Sequence, residues 1–73
     1  LLVPLGGLVT FDPKLDKDEL LTDVVVLRED ILQVRLDPNN PGRLLLTGKA
    51  AGLTQLTLAL KDRPKRVYDV IVQ

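Results

Sequence analysis

The 73-residue sequence predicts an all-β fold, a small sandwich of about six to seven short strands. Three observations carry that expectation. Thr54, Leu56, Leu58 and Leu60 alternate with Gln55, Thr57 and Ala59, the period of two that places alternate side chains on opposite faces of a half-buried strand. Val24-Val25-Val26 is a β-branched run, stiff at χ1 and suited to a pleated surface. Clusters of glycine, proline, asparagine and aspartate then interrupt the apolar runs at nearly regular spacing, as in closely packed antiparallel sheets.

Taken in order, Leu1 to Leu5 is apolar but holds Pro4, which cannot donate to a ladder, so the segment is expected at a sheet edge. Gly6-Gly7 turns the chain into a strand at Leu8 to Phe11, which Asp12-Pro13 closes. Lys14 to Asp23 reads as a charged connection with Leu15, Leu20 and Leu21 as its apolar foot. From Asp16 to Val34 two readings compete. Leu20, Val24, Leu27, Ile31 and Val34 recur at helical spacing behind an Asp16/Glu19 pair resembling a capping box. The valine run, the charged break Arg28-Glu29-Asp30 and the alternation through Gln33 to Leu36 favour strand, turn, strand, with the helix as the alternative. Asp37 to Gly42 is a loop in which every residue type has a turn role. A strand at Leu44 to Thr47 follows, and Gly48 and Gly52 bracket what reads as a tight reversal joining it to an antiparallel strand at Thr54 to Leu60. Lys61 to Lys65 makes a charged hairpin loop before a closing strand at Val67 to Val72, on which Asp69 is expected to face outward. Leucines on both faces of Leu44-Leu45-Leu46 suggest that the opposite sheet covers one side and a neighbouring domain the other.

Composition narrows the chemistry. The chain contains no cysteine and no histidine, so neither a disulfide framework nor the common zinc sites can form, and catalysis has no thiol or imidazole to use. A formal net charge of +0 and only two aromatic residues, Phe11 and Tyr68, argue against nucleic acid as a partner. No apolar run reaches the roughly 20 residues of a membrane-spanning helix. No carboxylate pair accompanies a positioned nucleophile, so no enzymatic activity, cofactor or metal is expected. At this size folding buries roughly 60% of the unfolded chain's surface, so one marginally stable module is expected. With no initiator methionine, it reads as excised from a longer chain.

Three motifs invite sharper readings. Gly48-Lys49-Ala50-Ala51-Gly52-Leu53-Thr54 has the residues of a phosphate loop in the wrong order, and a strand rather than a helix should follow, so Gly48 and Gly52 are expected to be structural turn residues. Asp12, Asp16, Asp18, Glu19 and Asp23 lack the spacing of a calcium loop and are interleaved with Lys14 and Lys17, which points to a solvated, mixed-charge connection. Lys61, Arg63, Lys65 and Arg66 concentrate positive charge at one hairpin. They are either a solubilising tip or a contact for an acidic protein surface.

The run Leu45-Leu46-Thr47-Gly48-Lys49-Ala50-Ala51-Gly52-Leu53-Thr54-Gln55-Leu56-Thr57-Leu58, followed by Arg66-Val67-Tyr68-Asp69-Val70-Ile71-Val72, resembles the pilus-formation N-terminal domain. That module precedes the channel-forming part of secretins in type II, type III and tight-adherence pilus systems. Val3-Pro4-Leu5-Gly6 is similar to the family's opening segment and Val24 to Leu36 to its middle strands. The same strand, glycine, strand ending is similar to bacterial immunoglobulin-like adhesin domains, the alternative reading. The resemblance implies an immunoglobulin-like sandwich without catalytic residues, located in the periplasm or at the outer membrane. Its implied role is to contact other protein subunits or domains of an envelope assembly. Homo-oligomers are expected only in the full-length context.

Overall fold

A computed structural model describes residues 1–40 and 42–73; of the expected loop from Asp37 to Gly42, only Pro41 lies outside the described residues. Among the described residues, seven strands form two sheets: β1 (Leu2–Val3), β2 (Leu8–Phe11), β3 (Leu21–Val26), β4 (Leu32–Leu36), β5 (Leu44–Gly48), β6 (Gly52–Leu60) and β7 (Arg66–Val72). One sheet has the order β1-β7-β6-β3 and the other β2-β5-β4. All neighbours are antiparallel except β1, which runs parallel to β7 through Leu2↔Ile71 and Val3↔Val72. The fold is the expected all-β sandwich.

The alternation in β6 sets the core. Thr54, Leu56, Leu58 and Leu60 all point inward and are buried. They meet Val70 and Val72 from β7, Leu32 from β4, and Leu44 and Leu46 from β5, with Val3 and Ile31 closing the cluster. Buried Thr54 keeps its hydroxyl satisfied by accepting the Arg28 N–H at 2.9 Å. That contact fixes the turn between β3 and β4 against the core edge, since a buried hydroxyl without a partner is costly. Phe11 and Tyr68 meet edge to face across the two sheets, with ring centroids 5.0 Å apart at 76°.

Strand, turn, strand is the outcome for Asp16 to Val34. The β-branched valines go to β3, and the Arg28-Glu29-Asp30 break turns the chain into β4. The capping-box pair still bonds locally without a helix: Asp16 N–H donates to Glu19 Oε1 at 2.9 Å, and Glu19 N–H to Asp16 C=O at 3.1 Å. In the following loop, Asn39 N–H donates to Asp37 Oδ1 at 2.9 Å and Gly42 sits at φ 89°, the roles expected of those residue types.

Two expectations need correction. The charged connection ends before Asp23, because β3 begins at Leu21, with a register shift between Leu21 and Asp23 in its pairing with β6. β5 and β6 are not partners in a hairpin: β5 pairs with β2 and β4, β6 with β3 and β7, so residues 49–51 carry the chain from one sheet to the other. Gly48 accordingly belongs to β5, paired with Leu32. With β5 and β6 in different sheets, the row of Leu44 and Leu46 faces the row of Leu56 and Leu58 across the sandwich, and each buries the other. Leu45, on the outer face of β5, is half-buried, and the larger exposed apolar surface lies on the other sheet.

Candidate docking surface

The β6–β7 hairpin is well formed, but it does not present four free cations. Arg63 ion-pairs with Asp18. Arg66 is the first residue of β7, and its guanidinium is held from three sides. Nη1 donates to Pro13 C=O at 2.9 Å, and Nη2 donates to Glu19 Oε1 at 2.7 Å and Oε2 at 2.9 Å. The Glu19 side chain is only 6% exposed and that of Arg66 31%, so the pair sits largely out of solvent. The backbone N–H of Asp16 and, after it, the Arg66 charge hold the Glu19 carboxyl below its ordinary value, with partial burial opposing them. Arg66 therefore acts as a clamp that ties the acidic connection to the sandwich, while Lys61 and Lys65 of the expected contact set are exposed and, among the described residues, carry no ion pair. The acidic residues serve the same local purpose: Asp12 Oδ1 accepts Lys14 N–H at 2.8 Å, while Asp18 and Glu19 accept the two arginines. Lys14 itself takes φ 56°, a left-handed position that the Asp12 bond supports.

The segment from Leu1 to Leu5, expected at a sheet edge, contributes only Leu2 and Val3 as strand, already bonded along β7. Beyond them the chain crosses to the second sheet and is tied down on the way. Gly6 N–H donates to Gly48 C=O at 2.8 Å, Gly48 N–H to Gly7 C=O at 3.2 Å, and Leu5 N–H to Gln73 C=O at 3.1 Å. Gly48 is packed into this crossing. A Cβ there would lie 2.6 Å from Pro4 C=O and 2.8 Å from Val72 Cγ1. Gly52, at φ 155°, leads the chain into β6, and a Cβ there would lie 2.7 Å from Ile31 Cδ1.

One surface was not anticipated. On the outer face of the β1-β7-β6-β3 sheet the register aligns Leu2, Ile71 and Leu53 in a row across three strands. The next row pairs Asp69 with Gln55, whose Nε2 donates to Asp69 Oδ1 at 3.2 Å, and Leu27 follows β3 beside it through its N–H to Gln55 C=O. The row beyond holds Val67, Thr57 and Val25. Leu27 and Leu53 are each 69% exposed and Leu2 62%, with Ile71, Val67 and Val25 also open to solvent. Leu27, Leu53, Gln55, Asp69 and Ile71 line a shallow depression on this face. The sequence held the signal, since Leu53, Val67 and Ile71 occupy the outward parity of strands whose inward parity is already apolar. Outward Asp69 is exposed at its centre, as expected.

A family profile described as the pilus formation protein N-terminal region matches residues 14–73. The chain belongs to this family. The match to the pilus formation region takes in β3 to β7 and leaves out β1 and β2, so the Val3 to Gly6 segment lies outside it. No curated protein and no solved structure matches the chain. The pilus formation domain is thus all-β in two packed sheets, and among the described residues no helix is long and apolar enough to cross a membrane.

Proposed function

We propose that the domain is a non-catalytic docking and spacer module of a pilus or secretion apparatus in the bacterial envelope, working in the periplasm or at the outer membrane. It contacts a neighbouring protein subunit or domain of that assembly through the outer face of the β1-β7-β6-β3 sheet. The observation that carries this is the row Leu2, Ile71 and Leu53 with Leu27 beside it, exposed together on a chain whose core is already filled. Contiguous apolar surface of this kind marks protein contacts more often than scattered single residues do. The Gln55–Asp69 pair in its midst is polar and oriented, which suits register selection over adhesion to any greasy surface. Lys61 and Lys65, at the end of the same sheet, add salt-dependent steering toward an acidic partner.

The test replaces Leu53 and Ile71 by aspartate in the full-length protein. Assembly of the complex, followed by cross-linking, is expected to fail while the melting temperature of the domain stays within a few degrees of the parent. Intact assembly with both substitutions removes this face as the docking surface.

A further inference from the structure

The two sheets have four outer strands, β1 and β3 on one and β2 and β4 on the other. Exposed edges invite pairing with another chain unless they are short, bulged, blocked by proline or otherwise covered. Three of the four are short or bulged. β1 is two residues long and runs into Pro4. β2 has four residues and stops at Asp12-Pro13. β3 carries the register shift between Leu21 and Asp23, and its Val24 N–H is already taken by Asp23 Oδ1 at 2.8 Å.

β4 also stops at an Asp-Pro pair, Asp37-Pro38, but its five residues are neither bulged nor interrupted. It pairs with β5 without interruption from Leu32↔Gly48 to Leu36↔Leu44. The bonds just beyond its two ends fix the parity of that ladder: Lys49 N–H donates to Ile31 C=O at 2.8 Å and Asp37 N–H to Arg43 C=O at 3.0 Å. Residues 31, 33, 35 and 37 therefore bond toward β5, and the main-chain groups of Leu32, Val34 and Leu36 point to the open side. Of these, among the described residues, only Leu32 N–H has a partner, Arg28 C=O at 3.3 Å. Grooves lined by Leu32, Val34 and Val24, and farther along by Val34, Leu36 and Leu21, run beside this edge, and Leu36 is 63% exposed.

We propose that the β4 edge is a self-pairing site that takes β4 of a second copy of this chain, antiparallel, about a two-fold axis at Val34. Among registers that keep the open-side groups opposite one another, this is the one the side chains allow. Centring on Arg35 sets two arginines face to face. Centring on Gln33 sets Leu32 against Val34, and because Leu32 N–H is already held by Arg28 C=O, only two bonds join the copies where the Val34 register makes four. Centring on Val34 sets Val34 against Val34, Leu36 against Leu32, and Gln33 against Arg35. In that register each Val34 donates to and accepts from the other, and Leu36 N–H of each copy donates to Leu32 C=O of its partner. Gln33 and Arg35, both exposed on the outer face, meet as amide and guanidinium at the two symmetry-related positions. The product is a continuous sheet of β2-β5-β4 and its copy. The site is separate from the outer face assigned to docking above, so neither reading depends on the other.

The experiment is sedimentation equilibrium of the 73-residue chain up to millimolar concentration, with amide hydrogen exchange measured over the same range. Gln33→Glu puts a carboxylate opposite Arg35 twice and is expected to tighten self-association about tenfold. Gln33→Arg sets arginines opposite one another and is expected to weaken it by a similar factor. The Val34 and Leu36 amides, which face the open edge, should gain protection as concentration rises, while those of Gln33 and Arg35, already bonded to β5, should not. A chain that stays monomeric at millimolar concentration with Gln33→Glu in place overturns the proposal. Two variants that shift association in the same direction, or protection that appears at Leu8 and Thr10 of β2 in place of Val34, overturn it equally. Neither substitution touches the outer face of the other sheet, so failure here leaves the docking test standing.

Discussion

The two long sides of the sandwich are built differently. On one, the chain crosses from β1 to β2 and the sheets are sewn together by main-chain bonds between Gly6, Gly7 and Gly48, with Phe11 against Tyr68 behind them. On the other, β3 and β4 are joined only at one end, through the turn from Leu27 to Ile31, and diverge into open grooves lined by half-buried valines. The closed side depends on backbone atoms in close approach, where nothing can rotate out of the way. The open side depends on side chains and a free edge, where substitutions have room. Tolerance to change should therefore differ sharply between them, and that difference can be measured.

The largest effect is expected at Gly48→Val on the closed side. Its Cβ meets the Pro4 carbonyl, a main-chain atom, so the crossing itself must shift, and the loss should be about 3 kcal/mol. Urea denaturation checks this, and a loss under about 1 kcal/mol would show that the crossing is looser than its hydrogen bonds imply. Gly52→Val comes next, at about 1–3 kcal/mol, from its positive φ and the approach to Ile31. Here the obstructing atom is the far end of a side chain. Adding Ile31→Val, which deletes Cδ1, should recover part of the loss, whereas strictly additive losses would place the whole cost in the backbone.

The clamp at the hairpin gives a smaller effect with a distinctive pH dependence. Glu19 has its carboxyl lowered from an ordinary 4.5, so its contribution to stability is fully present above that value and is lost as pH falls through the folded-state pKa. The difference in melting temperature between the parent and Glu19→Gln should be full at pH 6–7 and shrink steadily as pH drops below about 4. A difference that grew toward acid would reverse the assignment. Arg66→Glu should lower the melting temperature at neutral pH, because it turns the Glu19 partner into a repelling one. The smallest effects belong to exposed positions: Lys49→Ala beside the open grooves and Lys65→Glu at the hairpin should each change stability by about 0.5 kcal/mol or less. If Lys65→Glu destabilised as much as Arg66→Glu, the hairpin would be an ion-pair network in its entirety and not a clamp beside a free tip.

Much of this was readable from local pattern. The inward row of β6 follows from a period of two over seven residues, and the valine run of β3 prevailed over a helical spacing because β-branched side chains favour the pleated surface that the core then covers. Even the capping-box residues kept their mutual bonds once the helix was gone. The role of Arg66 was not readable. Four basic residues within six positions look alike in sequence, and only the fold of the acidic connection brings Glu19 and the Pro13 carbonyl within reach of one of them. The outer face of the β1-β7-β6-β3 sheet was half readable. Leu53, Val67 and Ile71 announce an apolar outward parity, but their alignment with Leu2 and Leu27 needs the cross-strand register.

The sequence by itself determined which side chains go inside, where the chain turns and that the secondary structure is strand, because alternation, β-branching and turn chemistry act over a few neighbouring residues. Only the tertiary structure decided that β5 and β6 lie in different sheets, that Gly48 is a site of close approach between crossing segments, and that β4 keeps an open, unbroken edge. Those features depend on which distant strands become neighbours. A strand's pattern tells its inside from its outside but is the same whether its main-chain groups face a partner or open water, and that choice is made when all the apolar rows are buried at once.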